Sequence, residues 1–439
     1  MIKLMKSVEG KCACGKAHSF ESDVYSGKGI ISKLPEYIKK FDPHTAYVLC
    51  DENTFRAAGE RVIEILKGAG IDSRLKMLLG NVHPNEKFID DATESLPPEC
   101  DIIISVGSGV INDIGKLVSK SSSLPYVIVA TAPSMDGYAS MSSSVTAKGL
   151  KISLPSRAAD VIVGDIDIVK TAPAKMVASG IGDIIAKYTS ICEWRISNLI
   201  TGEYYCEKIA SLVRAALKKC VDSAEAAMNG DEEAIASVFD ALIVSSVAMN
   251  YAGISRPASG SEHYISHMLD MRGEEFGEPT DFHGIQCGIA TYICLKLYGE
   301  FKKITPDKEK ALSHAKAFDY KAREEKLRSY LGKSAESMIA LEAKEGKYDS
   351  EKHEARLDVI LGCYDRIMKI IDEELPEISD MEELFKKLSL EYDYSYLGID
   401  KETTKKAFLF SGDIRDKYVL QRLLWDLGID EEIAEKVFS

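Results

Sequence analysis

The chain has 439 residues, which at about 150 residues per domain corresponds to roughly three domains. Its 45% hydrophobic and 28% charged content excludes a disordered or collagenous chain, and a length of this order buries enough surface to need no disulfide framework. With 55 Lys+Arg against 69 Asp+Glu the formal charge is −14, which repels phosphate backbones and excludes nucleic acid as a general partner. Backbone N–H groups can still hold a small phosphorylated ligand against that field.

In chain order, Met1–Lys6 lacks the apolar run of a secretory leader. The segment Cys12-Ala-Cys14-Gly-Lys-Ala-His18 brings three metal-ligand types together without a fourth, so it reads as an N-terminal hairpin with small buried thiols. Apolar runs at Ala46–Cys50, Asp101–Val106, Tyr126–Ala130 and Asp160–Gly164 predict strands. Arg61–Lys67 and Val110–Lys120 have helical spacing between them. Alternating elements with continuous apolar strands indicate a parallel sheet covered on both faces.

After about Pro173 the character changes to long amphipathic segments: 183–197, 204–228, 232–251, 262–271 and 284–297, with more helix to Ser439. This predicts an α/β domain over 1–172 and an all-helical domain over 173–439, the latter with an extended C-terminal part. The Lys- and Glu-rich stretch 302–350 reads as solvated helical surface. The uncharged stretch 241–255 is too short and too rich in Ser and Asn to span a bilayer. Ten scattered cysteines without a secretory signal read as reduced thiols of a cytoplasmic protein.

Two loops fall at strand ends. Ser105-Val-Gly107-Ser-Gly109-Val-Ile-Asn-Asp113 joins a strand to a helix, where glycines let N–H groups approach a pyrophosphate. The pattern is GxGxxN rather than GxGxxG, so it departs from the usual dinucleotide fingerprint. Thr131-Ala-Pro-Ser134-Met-Asp136-Gly-Tyr-Ala-Ser140 is rich in hydroxyls, with one carboxylate, at the same carboxyl edge where open α/β sheets bind ligands. Asp51 ends an earlier strand and serves either as a ribose ligand or as a helix N-cap.

Three of the eight histidines fall close together. His263 and His267 stand at i and i+4 on one helix face, and His283 opens the next helix after a Gly- and Pro-containing turn. Adjacent antiparallel helices can bring His283 to a metal with a histidine of the pair. An anionic ligand is available in Asp183, read here as beginning a helix at Gly180-Ile-Gly182-Asp183. Two imidazoles, one carboxylate and an open position suit catalytic zinc, and nickel or iron accept the same donors. Cys287 and Cys294 read as helix core.

The ordered motifs GSGVINDIGK (107–116), TAPSMDGYAS (131–140), GIGDIIAKYTS (180–190), SGSEHYISHMLD (259–270) and FHGIQCGIAT (282–291) together resemble the sn-glycerol-1-phosphate dehydrogenases, particularly the bacterial type. These belong to the superfamily of iron-containing alcohol dehydrogenases, glycerol dehydrogenases and dehydroquinate synthases. The resemblance implies a Rossmann-like dinucleotide-binding domain followed by an all-α metal-binding domain of the dehydroquinate synthase type. It implies that Gly107, Ser108, Gly109, Val110 and Ile111, with Thr131, Ala132, Pro133, Ser134 and Ser140, contact NAD or NADP, with Asp51 near the adenosine. Asp183, His263 and His283 would hold one divalent metal, zinc or nickel with iron also accepted. Asp136, Asp183 and His267 would meet the substrate, with Asp183 and His267 as the catalytic pair.

The implied activity is reversible reduction of dihydroxyacetone phosphate to sn-glycerol 1-phosphate in a homo-oligomer acting on a small phosphorylated substrate. A glycerol or other polyol dehydrogenase with the same metal site is the alternative. A sensor or binding module on the same fold is a further one, which the intact Asp/His/His set argues against. Dehydroquinate synthase ranks lower because that family places Glu where this chain has Asp183. The chain beyond about residue 300 is longer than in most relatives.

Overall fold

The computed structural model describes residues 2–147, 150–390 and 392–439. The chain forms two compact units, Met1–Ile184 with Ser211–Ile254, and Ile185–Ala210 with Ser255–Ser439.

The first unit is built on a six-stranded sheet. A small hairpin, β1 (Gly10–Lys11) and β2 (Ala17–His18), precedes it, and the sheet strands are β3 (Asp23–Gly27), β4 (Thr45–Asp51), β5 (Asp72–Leu78), β6 (Ile102–Gly107), β7 (Tyr126–Ala130) and β10 (Val161–Asp165). A second hairpin, β8 (Ser142–Ala147) and β9 (Leu150–Pro155), lies between β7 and β10 in the chain. The sheet order is β3-β10-β7-β6-β4-β5, with every pairing parallel. The four inner strands carry the apolar runs, and Val48, Ile104, Val129 and Val163 are fully buried. Such runs are what a parallel sheet covered on both faces requires. The edges differ: β5 holds Asp72, Arg74 and Lys76, and β3 is half-buried throughout, which blunts both edges against further pairing.

Helix α1 (Gly109–Ser122) follows β6 and lies close against the sheet. A Cβ at Gly115 would sit 2.1 Å from Ser105 Oγ and 2.7 Å from the Tyr126 ring, so only glycine allows this approach. The later helices are α2 (Ala174–Ile185), α3 (Lys187–Thr201), α4 (Glu207–Met228), α5 (Glu232–Ala252), α6 (Ser261–Phe276) and α7 (His283–Phe301).

The expected single helix over 183–197 is two, and Asp183 lies in the last turn of α2 rather than at a helix start. Gly180 and Gly182, which stand just before Asp183 in that motif, are inside that helix. The reason is a close approach: a Cβ at Gly180 would meet the Pro133 carbonyl oxygen at 1.9 Å. Glycine serves packing here, not a turn. Helix α5 begins earlier than the uncharged stretch 241–255 and is long and apolar enough to cross a membrane, but 78% of its apolar window is buried inside the protein.

The second unit is helical, with α3, α6, α7 and further helices through Asp430–Val437. Its core holds charged groups that each meet several hydrogen-bond partners. Arg256, 1% exposed, donates to Glu203 at 2.8 and 2.9 Å, to Ser197 Oγ at 3.0 Å and to the Tyr418 carbonyl at 2.8 Å. Glu193, 2% exposed, accepts from the Ser261 N–H at 2.9 Å and the Leu420 N–H at 3.2 Å, joining three chain segments.

Burial, with the neighbouring Glu262 carboxylate adding to it, pushes the Glu193 carboxyl above the usual range. Between the ordinary glutamate value, about 4.3, and the raised folded value, the native chain keeps a proton that the unfolded chain has released. The corresponding stability is present below that interval and falls as pH rises through it. Glu193→Gln removes the titration and leaves one side-chain oxygen for the two N–H donors. Its thermal midpoint relative to wild type is expected to rise between pH 5 and pH 8, measured by circular dichroism at both values. An offset unchanged across that range would show that Glu193 is not protonated in the fold.

Candidate active site

Three loops of the first unit share one edge. β4, β6 and β7 are successive neighbours in the sheet, and their carboxyl ends deliver Asp51, the Gly107–Ile111 turn and the 131–140 loop to the same side. Gly107 closes β6, where a Cβ would lie 2.5 Å from that of Ile111. Ser108 then caps α1 through backbone geometry alone, since its side chain accepts no helix N–H. The first-turn N–H groups of a 14-residue helix thus lack a side-chain cap and carry favourable partial positive charge. Asp51 accepts from the Asn53 and Thr54 N–H groups, both at 2.8 Å, as part of a capping box. The N-cap role weighed for it from sequence is therefore present, at the edge where a ribose contact would be made.

The 131–140 loop is held from several directions within this unit. Asn112 Nδ2 donates to the Gly137 carbonyl at 3.0 Å, and Lys116 Nζ donates to Ser140 Oγ at 3.1 Å. Lys116 is fully buried and also pairs with Asp113 at 2.8 Å, so its charge is compensated. Ser179 Oγ donates to the Ser134 carbonyl at 2.8 Å. On α5, Ser245 Oγ donates to Asp136 Oδ2 at 2.7 Å, and Ser246 Oγ accepts the Ala139 N–H at 2.9 Å and donates to the Asp136 carbonyl. The Asp136 N–H donates to Asp183 Oδ2 at 2.9 Å, which joins the two acidic residues singled out from sequence. Asp183 has no exposed surface.

The second unit gathers the histidines. Helices α6 and α7 place the His263 and His283 rings 5.0 Å apart, His267 and His283 5.8 Å apart, and His263 and His267 6.3 Å apart. His263 Nδ1 donates to Glu262 Oε1 at 2.8 Å, which leaves its Nε2 lone pair for a metal. Glu262 is itself buried and accepts from the Gly260 N–H at 2.7 Å and from Thr189 Oγ1. Burial opposes ionisation of this carboxyl, but its bond to His263 prevails and holds it below the usual range. Burial drives His267 down to about 3, with Asp270 opposing, so the ring is neutral at neutral pH.

Several residues here were not read as functional from sequence. Donor atoms of His263, His283 and Cys287 lie within 4.8 Å of one another, as do those of His267, Asp270 and His283. Cys287 is fully buried, as expected of helix core, yet its sulfur is 3.6 Å from His283 Nε2. Gln286 donates to Asp270 at 2.8 Å and to Ser266 Oγ at 3.1 Å. The Glu that immediately precedes His263 was a legible signal. Ser245 and Ser246 were not, because they lie inside an apolar helix whose pattern reads as core.

The family model for iron-containing alcohol dehydrogenases matches residues 25–173. A glycerol-1-phosphate dehydrogenase [NAD(P)+] from Halalkalibacterium halodurans is 33% identical over 308 residues, 68% of this chain and 76% of that one. One of the same name from Bacillus licheniformis is 26% identical over 98% of this chain and 95% of its own, so the C-terminal helices are matched as well. One from Pyrococcus horikoshii is 34% identical over 65% of this chain and 81% of its own. Among solved structures, glycerol dehydrogenase from Schizosaccharomyces pombe aligns over 98% of this chain and 93% of its own, with a TM-score of 0.61 at 16% identity. A probable glycerol dehydrogenase from Sinorhizobium meliloti covers 96% of this chain and 99% of its own with a TM-score of 0.63, also at 16% identity. These structures share the fold. By its sequence relatives, the chain belongs to the family of glycerol-1-phosphate dehydrogenases.

Proposed function

We propose that this chain catalyses the reversible, NAD(P)-linked reduction of dihydroxyacetone phosphate to sn-glycerol 1-phosphate in the cytoplasm. The observation that carries the reading is the histidine cluster, in which a carboxylate fixes the tautomer of the buried His263. That arrangement orients an imidazole for metal rather than for solvent, and it occurs in a chain whose relatives are named glycerol-1-phosphate dehydrogenase.

In this reading Asp183, His263 and His283 hold one divalent metal, zinc or nickel, a donor set of imidazole and carboxylate that both ions accept. When bound, the metal supplies Lewis acidity at the C2 oxygen and the dinucleotide supplies the hydride. The chain's own residues do the rest. First-turn N–H groups of α1, at Gly109 to Ile111, bind the pyrophosphate with Ser108. The loop carrying Thr131, Ala132, Pro133, Ser134 and Ser140 orients the dinucleotide. Asp136 fixes the substrate, and Asp51 meets the adenosine. His267, kept neutral by burial, hydrogen-bonds the C2 hydroxyl and relays its proton.

The deciding experiment incubates metal-replete protein with dihydroxyacetone phosphate and NADH or NADPH, then determines the enantiomer of the product. Formation of sn-glycerol 1-phosphate is expected, with activity lost in Asp183→Ala together with its metal. Oxidation of glycerol without turnover of dihydroxyacetone phosphate would overturn the phosphate reading, and an Asp183→Ala variant that keeps full metal and activity would overturn the ligand set.

Glu262→Gln gives a finer test of the carboxylate behind His263. It is expected to weaken metal affinity by roughly 10–100-fold, measured by competition with a chromogenic chelator, and excess metal should restore turnover. Unchanged affinity would mean that Glu262 serves packing alone.

A further inference from the structure

We infer that Cys287 is a further ligand of the metal held by His263 and His283, and that its thiolate directs the site toward a thiophilic divalent ion such as zinc rather than a hard one such as manganese. The inference rests on the reading of those two histidines as metal ligands.

All three residues belong to the second unit. In His283-Gly-Ile-Gln-Cys287 the imidazole and the thiol stand at i and i+4, one turn apart on one face of α7. Two donors at that spacing reach a single ion from one helix, as the histidine pair of a helical zinc motif does. His283 is the first residue of α7, and Cys287 Sγ stands 3.6 Å from its Nε2 and 3.8 Å from its Nδ1. Sulfur and nitrogen on one tetrahedral zinc, with bonds of about 2.3 and 2.1 Å, stand about 3.6 Å apart.

The third donor comes from α6. His263 Nδ1 donates to Glu262, so the nitrogen left with a lone pair is Nε2. One donor atom each of His263, His283 and Cys287 lies within 4.8 Å of the other two. Burial alone does not produce such a group. Cys294 stands two turns further along α7 and is as fully buried as Cys287, yet among the described residues it joins no group of metal donors. A buried thiol packed only against carbon acts as a small apolar side chain. Cys287 has that size and burial, but its sulfur faces imidazole nitrogen.

A thiol ligates as thiolate, so it gives its proton to solvent when the ion binds. Imidazole and carboxylate accept several divalent ions, whereas a thiolate adds a soft donor that selects zinc over hard ions. Zinc expands from four ligands to five during catalysis, so a thiolate beside the imidazoles leaves the substrate its place.

The test uses the full-length chain, stripped of metal and reloaded with cobalt, with bound cobalt measured after dialysis. A sulfur-to-cobalt charge-transfer band is expected in the near ultraviolet. At equal bound cobalt, Cys287→Ala should lose it and Cys294→Ala should keep it. Cys287→Ser, which preserves the size of the side chain, should lower the preference for cadmium over manganese in equilibrium competition. Bound cobalt without a band that depends on Cys287, or an unchanged cadmium preference, would overturn the inference and leave the histidines as ligands. A wild-type chain that binds cobalt and shows no such band would overturn it even where the variants fail to fold. Failure of the wild type to bind cobalt at all would overturn the histidine reading along with it.

Discussion

The bond from the Asp136 N–H to the buried carboxylate of Asp183 ties a sheet-edge loop to the last turn of a helix, and the arrangement of the first unit depends on it. The bond forms because α2 can lie against the loop, and it lies there because Gly180 has no Cβ to strike the Pro133 carbonyl. Ser179, one residue earlier, takes the Ser134 carbonyl as its acceptor. From the other side Ser245 and Ser246 on α5 satisfy the Asp136 carboxylate and carbonyl. A loop fixed at this many points has little conformational freedom left to lose when a ligand binds, which is how a rigid scaffold raises affinity without new contacts.

The same logic reconciles an acidic protein with an anionic ligand. A formal charge of −14 sets the far field, but within a few ångströms the partial charges of helix N–H groups dominate. The start of α1 has no side-chain cap, and the one cation nearby on that helix, Lys116, is buried and paired with Asp113. What the start of α1 offers at this edge is therefore a set of backbone dipoles, whose partial charges do not titrate.

How far the sequence discloses this depends on what each residue packs against. Strands β4, β6, β7 and β10 were legible because burial on both faces demands continuous apolar runs. β5, reading Asp-Ser-Arg-Leu-Lys-Met-Leu, was not, because an edge strand keeps its charges in solvent and shows no such run. The two helix-starting glycines misled for a related reason: Gly180 looks like punctuation, whereas its role is a contact with a residue 47 positions away from Gly180 in the same loop that Asp136 and Asp183 join. The histidines were legible through i, i+4 spacing and the turn before His283. Their support was less so, since Gln286 and Asp270 act through packing across two helices, which spacing along one does not encode.

The helical unit shows the cost of supporting such a site in a dry interior. Glu262 must stay ionised to orient His263, and its carboxylate is held by three donors. A second full charge beside it would be repelled, and Glu193 answers by keeping its proton. The two buried glutamates are thus pushed in opposite directions, Glu262 toward the anion and Glu193 toward the neutral acid, each meeting different backbone N–H groups around Gly260 and Ser261. The pair makes the start of α6, and hence the position of His263, a matter of fixed electrostatics rather than of side-chain freedom. Ionising Glu193 would reach the His263 ring through Glu262, without any change to the histidine itself.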